Sequence, residues 1–321
     1  MSGKSVNPFL FWDRPEAVCF LDIETTGLSR DRDRIFCLGL GSLEKEKKVA
    51  YHAYWADQPD ANLRERVLLD LLPEHWADRP LVSYHGAAFD LPFLAAAYRR
   101  WGRPLPTPVH LDLRLFRDQR RRLLGLSRAK RSELEASIGF ERKNRLTGKG
   151  LSESARFLAN EEIRRLVLAH NREDVEGLAA LFAALQPLHD RLRFISAAPF
   201  LCPPDAKENL LALDQWTQTT HQGQAHFYLR HPVPLAGFFE SDFGRLTWSG
   251  DELTLELSLI HGQWDGRPLS VAASPAPIEN QAPYALRPPL FVVSDADRDY
   301  GNHLIALVHQ LIQRAAEKNI T

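Results

Sequence analysis

The apolar positions of this chain follow two spacings, and the spacing changes with position. From Ala17 to Leu28 the sequence reads AVCFLDIETTGL, whose first half is an unbroken apolar run of strand-forming residues. Such a run predicts a strand buried on both faces of a sheet. Ile35–Leu43 and Val49–Ala56 predict two further strands joined by the charged turn EKEKK, so the chain opens as a three-stranded sheet. Helical spacing takes over at Leu63, Val67 and Leu71, predicting a helix over Asn62–Leu72 that stops at Pro73. Pro80–His85 and Val109–Leu113 predict short strands, with a helix from Phe89 to Trp101 between them. Arg114–Gly139 predicts helices broken near Gly125, KNRLTGKG a polar loop, and Ser152–Leu158 and Glu161–Leu185 two more helices. Strands first, then alternating strands and helices, imply an α/β domain built on a mixed sheet over residues 1–188.

Past Gln186 the pattern changes. Pro187, Pro199, Pro203 and Pro204 crowd a segment that reads as a linker or a tethered crossing. Gln224–His231 predicts a strand. Leu253, Leu255, Leu257 and Leu259 alternate with Thr254, Glu256 and Ser258, the mark of a half-buried antiparallel strand; Arg245–Trp248 and the turn Ser249-Gly250-Asp251 complete a hairpin. A proline-rich stretch from Pro275 to Pro289 precedes the apolar run LFVVS. A final amphipathic helix over Asn302–Lys318 carries Ile305, Val308, Leu311 and Ile312 as its core stripe. Residues 189–321 therefore read as a smaller β-rich domain ending in a helix, with no catalytic constellation and no assigned role.

Composition narrows the setting. The 321 residues leave room for a sizeable core, and the formal net charge of −1 says nothing about partners. The distribution of charge says more: Arg99 to Lys149 holds 15 Lys/Arg against 5 Asp/Glu, a local basic excess. Three cysteines, Cys19, Cys37 and Cys202, have no ligand spacing and fit a reducing compartment. No stretch approaches the roughly 20 apolar residues of a membrane span, and no apolar segment of signal length opens the chain. A cytoplasmic protein is expected.

The candidate chemistry lies where acids interrupt apolar faces. Asp22 and Glu24 break the first run, and strand alternation puts them on one face with Ile23 on the other. Burying one unpaired carboxylate costs several kcal/mol, so two together need a cation or a proton. Either a divalent metal on oxygen ligands supplies it, or the pair sits solvated at a strand end. On the long helix, Ile163, Val167, His170, Asp174, Leu178, Leu181 and Leu185 share one face. His170 and Asp174 interrupt it one turn apart, either as a core histidine satisfied by its i+4 aspartate or as part of the same acid cluster. Asp90 stands before Leu91 and Pro92, where an aspartate also serves as a helix N-cap. Asp112, at the end of a short strand, is a further polar candidate.

Taken in order, DIETTGL, SYHGAAFDLPFL and HNREDV resemble the three exonuclease motifs of the DEDD superfamily of RNase H-like nucleases, which includes the proofreading 3′–5′ exonucleases. The flanking words most resemble its YprB-type branch. The resemblance covers Ala17–Gln186 and implies an RNase H-like mixed sheet flanked by helices. It implies a metal-dependent 3′–5′ exonuclease on single-stranded nucleic acid, DNA favoured over RNA. On this resemblance Asp22, Glu24, Asp90 and Asp174 hold two Mg²⁺ or Mn²⁺ ions, and His170 takes the proton from, or positions, the attacking water. The three residues between His170 and Asp174 match the branch that uses tyrosine, whereas four is usual with histidine.

Two ions about 3.5–4 Å apart orient water and stabilise the attacking and leaving oxygens of a phosphodiester, and hard oxygen ligands favour Mg²⁺ or Mn²⁺. The resemblance also sets Thr25, Gly27 and Leu28 against the terminal nucleotide. Phe89 and Phe93 flank the second acid, as base-stacking rings or as core. Arg121, Arg122, Arg128, Lys130, Arg145 and Lys149, with Arg120, Arg131 and Lys143, offer a basic approach for a phosphate backbone or a solvated helix face. A structure-selective endonuclease, an RNA-trimming nuclease and a non-catalytic nucleic-acid-binding module are the alternatives. Four mutually repelling acids kept together argue against the last. Protein partners are unspecified.

Overall fold

The leading apolar run becomes the middle strand of a sheet. In the structure, a computed structural model that describes residues 6–44, 48–72, 78–144, 148–279, 281–284 and 286–318, the chain divides into two compact units. One is Met1–Phe116 with Ala129–Leu185; the other is Arg117–Arg128 with Gln186–Thr321.

In the first unit a helical turn, α1 (Phe9–Trp12), precedes β1 (Cys19–Thr25), β2 (Ile35–Leu43), β3 (Val49–Trp55), α2 (Ala61–Leu71), β4 (Leu81–Ser83), α3 (Asp90–Arg100) and β5 (His110–Asp112). The helices α4 (Leu113–Arg120), α5 (Arg131–Ser137), α6 (Gly148–Ser154) and α7 (Glu161–Asp190) follow, with α4 from Arg117 and α7 from Gln186 counted in the second unit. The strands order as β3-β2-β1-β4-β5. β1 runs antiparallel to β2 and parallel to β4, and β4 runs parallel to β5, so the sheet is mixed.

Alternation along β1 sorts its side chains. Cys19, Leu21 and Ile23 pack with Leu68, Phe93 and Leu94 of α2 and α3. Phe20 faces the other way, against Phe182 of α7, whose ring stacks on Trp12 at 5.2 Å. Asp22 and Glu24 share the Phe20 face and therefore look toward α7. That helix comes close because β2 lacks side chains beneath it. A Cβ on Gly41 would lie 2.4 Å from Val175, and one on Gly39 would lie 2.0 Å from Asn171 Oδ1.

The second unit carries β6 (Arg193–Ser196), β7 (Asn209–Gln218), β8 (Gln222–Ser241), β9 (Gly244–Ser258), β10 (Ile260–Trp264), β11 (Arg267–Ala273), β12 (Leu290–Asp295) and α8 (Gly301–Glu317). They form a four-stranded antiparallel sheet, β6-β7-β8-β9, and a three-stranded one, β10-β11-β12. Leu211, Leu213, Phe227, Leu253, Leu255 and Leu257 build a core with Leu304, Leu307, Val308 and Leu311 of α8. Arg120, fully buried, pairs with buried Asp214 in this unit.

Several expectations are corrected. The segment that reads as a linker is ordered structure: α7 runs on through Pro187 to Asp190, and β6 and a 3₁₀ turn at Pro199–Leu201 follow. Ser249-Gly250-Asp251 is no turn. It lies inside β9, where Gly250 at φ +59° sits at an irregularity opposite Val233, and the hairpin reverses at Asp242–Phe243 instead. The break in Arg114–Gly139 spans 121–130. Helix α6 begins inside the expected loop KNRLTGKG, of which residues 145–147 lie outside the described residues, as do Pro73 and residues 45–47 of the EKEKK turn. Ile305 is at the edge of the α8 stripe, whose centre is Leu304, Leu307, Val308 and Leu311. Among the described residues no helix is long and apolar enough to cross a membrane.

Candidate active site

Four carboxylates lie near the carboxyl end of β1, and two pairs of them are spanned by a single donor group. The Asn171 Nδ2 of α7 donates to Asp22 Oδ2 at 2.9 Å and to Glu24 Oε1 at 3.3 Å. The Arg131 Nη1 of α5 lies 3.8 Å from Asp22 Oδ1 and 3.0 Å from Asp174 Oδ1. Asp90 Oδ1 accepts from the backbone N–H of Ile23, between the two strand acids, at 3.2 Å. Donor atoms of Glu24, His170 and Asp174 all lie within 4.8 Å of one another.

The local chain explains each placement. β4 pairs with β1 only at Cys19–Leu81 and Phe20–Val82, so the Ile23 amide beyond has no strand partner there and takes Asp90 instead. Asp90 is thus the first residue of α3 with its carboxylate turned to β1, and the N-cap position belongs to Phe89. The loop that delivers Asp90 is held by Asp112, whose two oxygens accept from His85 N at 2.9 Å and Ala87 N at 3.1 Å. His85 there adopts φ +70°, a conformation that such fixed partners support.

Electrostatics split the acids into two kinds. Burial, then the charges of Asp174, Glu24 and Asp90, push Asp22 well above the usual carboxylate range. Glu24 rises likewise, by burial first and Asp174 next. Asp90 is pushed up to about 7, mainly by burial. Asp174 goes the other way. Although burial would raise it, the hydrogen bond from His170 and the guanidinium groups of Arg131 and Arg142 hold it well below its ordinary value. His170 Nε2 is 3.0 Å from Asp174 Oδ2, the i,i+4 pair, and its buried Nδ1 has no hydrogen-bond partner among the described residues. Three acids held above their ordinary range by burial and mutual repulsion, all with hard oxygen donors, fit a divalent cation.

The remaining candidates separate. Thr25 is buried and donates to the Gly27 carbonyl. At Gly27 a Cβ would fall 2.5 Å from Asp33 Oδ2, so a larger residue there would have to displace that carboxylate. Leu28, 86% exposed, projects from that turn. Phe89 packs against the core with Phe93, ring centroids 4.9 Å apart, and Phe93 is buried. Lys130 is exposed ahead of α5. Arg121, Arg122 and Arg128 belong to the second unit, where Arg122 binds Asp299 and the carbonyls of Asp295 and Ala296. Arg145 lies outside the described residues, and of Lys149 only the backbone, in α6, is described.

Sequence reasoning passed over Asn171, Arg142 and Glu135, and it counted Arg131 only as one basic residue among many. For Asn171 the signal was its place next to His170 on the buried face. For the arginines and Glu135 there was none short of the tertiary structure.

A mixed sheet of this strand order, flanked by helices and carrying acids on its central strand, defines an RNase H-like α/β protein. The family model of the RNase H superfamily matches residues 19–186, just over half of the sequence; the chain belongs to that superfamily. Among solved structures, E. coli exonuclease I in complex with a dT13 oligonucleotide is similar at 12% identity and TM-score 0.33, over 66% of this chain and 54% of that one. The zinc-bound E. coli ExoI–ssDNA complex is similar at 14% identity and TM-score 0.30, over 66% and 54%. The chain thus spans about half the length of those chains. No curated protein matches it.

The seat of Asn171 gives a first expected result. Its Oδ1 accepts from Tyr51 Oη at 2.9 Å, which fixes the amide so that its N–H groups face Asp22 and Glu24. In Gly39→Ala the new methyl displaces Asn171. Divalent-cation affinity is expected to fall about 10–100-fold, the range for a lost partner of a metal ligand, and the crowding beneath α7 lowers the melting temperature as well. Calorimetric titration checks it, and wild-type Mn²⁺ affinity in the variant would show that Asn171 does not orient the acids.

Proposed function

We propose that this chain is a divalent-metal-dependent nuclease of the DEDD type, akin to its YprB-like branch, that removes nucleotides from the 3′ end of single-stranded DNA. The observation that carries the reading is the meeting of Asp22, Glu24, Asp90 and Asp174 at one end of β1. Those four would hold two Mg²⁺ or Mn²⁺ ions. Bound there, the ions activate water and stabilise the charge of the displaced oxygen. The chain's own residues do the rest. His170, held by Asp174 through Nε2, would activate or position the attacking water. Leu28, exposed on the turn beside the acids, meets the terminal base. A cleft of about 530 Å³ opens at that turn, lined by Thr26, Asp33, Arg64, Ser152, Glu153 and Arg156 among others, a volume suited to a nucleotide. Lys130, exposed ahead of α5, would approach the backbone phosphates. The buried free thiols Cys19, Cys37 and Cys202 fit a reducing, cytoplasmic setting.

The test uses single strands labelled at either end, DNA and RNA, with Mn²⁺ or with chelator. A ladder of single-nucleotide losses from the 3′ end, abolished by chelator, is the expected result. Internal fragments would make the protein an endonuclease. Binding without cutting would reduce it to a nucleic-acid-binding module.

A further inference from the structure

The acids of the site do not meet without a cation. Arg131, the first residue of α5, lays its guanidinium among them, with Nη1 3.0 Å from Asp174 Oδ1 and 3.8 Å from Asp22 Oδ1. Its Nη2 donates to the Asp174 carbonyl at 2.5 Å and its Nε to Glu135 Oε1 at 2.8 Å, while the ring of Tyr84 lies 5.4 Å below. Arg142 donates to Asp174 Oδ1 at 2.8 Å and to both oxygens of Glu135 at 2.7 and 2.8 Å. Glu135 is buried and reaches α7 where Gly177 leaves room, since a Cβ there would fall 2.6 Å from its Oε1. A glycine inside a helix costs about 1 kcal/mol against alanine. Here it lets a buried carboxylate anchor both arginines over Asp174.

A guanidinium fixed from this many sides is not a solvated surface charge. It faces one oxygen each of Asp22 and Asp174, acids that would hold a divalent cation, and it carries the same sign. Its planar fork also matches a phosphate better than a point cation does. Arg131 remains 19% exposed, so an anion can reach it.

We infer that Arg131 is the counter-ion of the metal-free site, and that once the metal holds Asp22 and Asp174 its guanidinium takes a non-bridging oxygen of the substrate phosphodiester. The inference rests on the nuclease reading. Metal and phosphate then bind with positive coupling, each relieving what the other leaves unpaired, and the coupling is reciprocal.

The test is calorimetric titration of Mn²⁺ into the full chain, alone and with thymidine monophosphate, for wild type, Arg131→Gln and Arg131→Lys. Removing a unit positive charge a few ångströms from the ion is expected to tighten Mn²⁺ binding about tenfold in Arg131→Gln. The same variant loses the gain in Mn²⁺ affinity that thymidine monophosphate gives wild type. Arg131→Lys keeps the charge, so its Mn²⁺ affinity stays near wild type, but without the fork its coupling to the nucleotide weakens. Unchanged or weaker Mn²⁺ binding in a folded Arg131→Gln overturns the inference and leaves the nuclease reading intact. If the glutamine variant does not fold, the lysine variant decides, and wild-type coupling in it overturns the inference. Absence of Mn²⁺ binding by wild type overturns the nuclease reading itself.

Discussion

Asp22→Asn is expected to lower metal-dependent hydrolysis by at least about 10³-fold, beyond the 10²–10³ that one lost transition-state contact costs, and yet to raise the melting temperature of the metal-free protein at pH 8. The two effects share one cause. Asp22 is raised by burial and by three like charges around it, so its ionised form strains the folded state. Asparagine keeps the shape and still accepts from Asn171, but it adds no charge. The pH dependence follows. A carboxyl group whose folded pKa lies above its unfolded value, near 4, destabilises the fold increasingly as pH rises from that value through the folded one. For Asp90 that window runs up to about 7, and Asp22 and Glu24 are raised as well. With chelator present, wild type should therefore melt higher at pH 5 than at pH 8. The gap should narrow in Asp22→Asn, and Mn²⁺ should close it in wild type alone. Thermal melts in chelator and in Mn²⁺ at both pH values check this. A metal-free variant less stable than wild type at pH 8 would show that the acids are not in mutual repulsion, and retained hydrolysis would remove Asp22 from the mechanism.

What the sequence shows of this site depends on how local the cause is. Asp22 and Glu24 are legible because strand alternation is strictly local: position two on from an apolar-run acid shares its face whatever the rest of the chain does. His170 and Asp174 are legible for the same reason on a helix. Asn171 is not, since its role depends on how α7 sits over Gly39 and Gly41, and a glycine in a strand does not announce which helix will approach it. Arg131, Arg142 and Glu135 come from a charged stretch whose composition matches any solvated helix. Only the room at Gly177 shows that Glu135 is buried. In the second unit the misread turn at Gly250 has the same origin. Ser-Gly-Asp suits a reversal and suits an irregular strand equally, and the pairing of Val233 with Gly250 decides between them. Pro187 reads as a stop, but it falls in the last turns of α7, where the ladder has few bonds left to lose.

Glu65→Ala is expected to destabilise the protein by about 3–5 kcal/mol, the cost of removing one partner from a buried ion pair. Glu65 sits on α2 with its side chain fully buried. Its Oε1 accepts from Ile35 N at 3.0 Å and Arg100 Nη2 at 2.7 Å; its Oε2 accepts from Arg100 Nε at 3.0 Å and Trp101 Nε1 at 3.2 Å. Alanine leaves four donors without their acceptor and a guanidinium without its counter-charge, and no neighbouring acid is positioned to replace it among these contacts. Against a typical stability of about 5–15 kcal/mol, the loss is a large fraction, and the midpoint should fall by roughly 10 °C. The effect reaches the site as well. Arg100 also donates to the Arg30 carbonyl at 2.8 Å, so Glu65 secures both the first residue of β2 and the turn that carries Leu28. At a temperature where the variant is still folded, KM for a single-stranded substrate should rise more than kcat falls, because the acids on β1 stay in place while the turn loosens. Urea unfolding and steady-state kinetics measure the two arms. A loss under about 1 kcal/mol, the scale of an exposed ion pair, would mean that water replaces the carboxylate and that Glu65 is not the clamp of this turn.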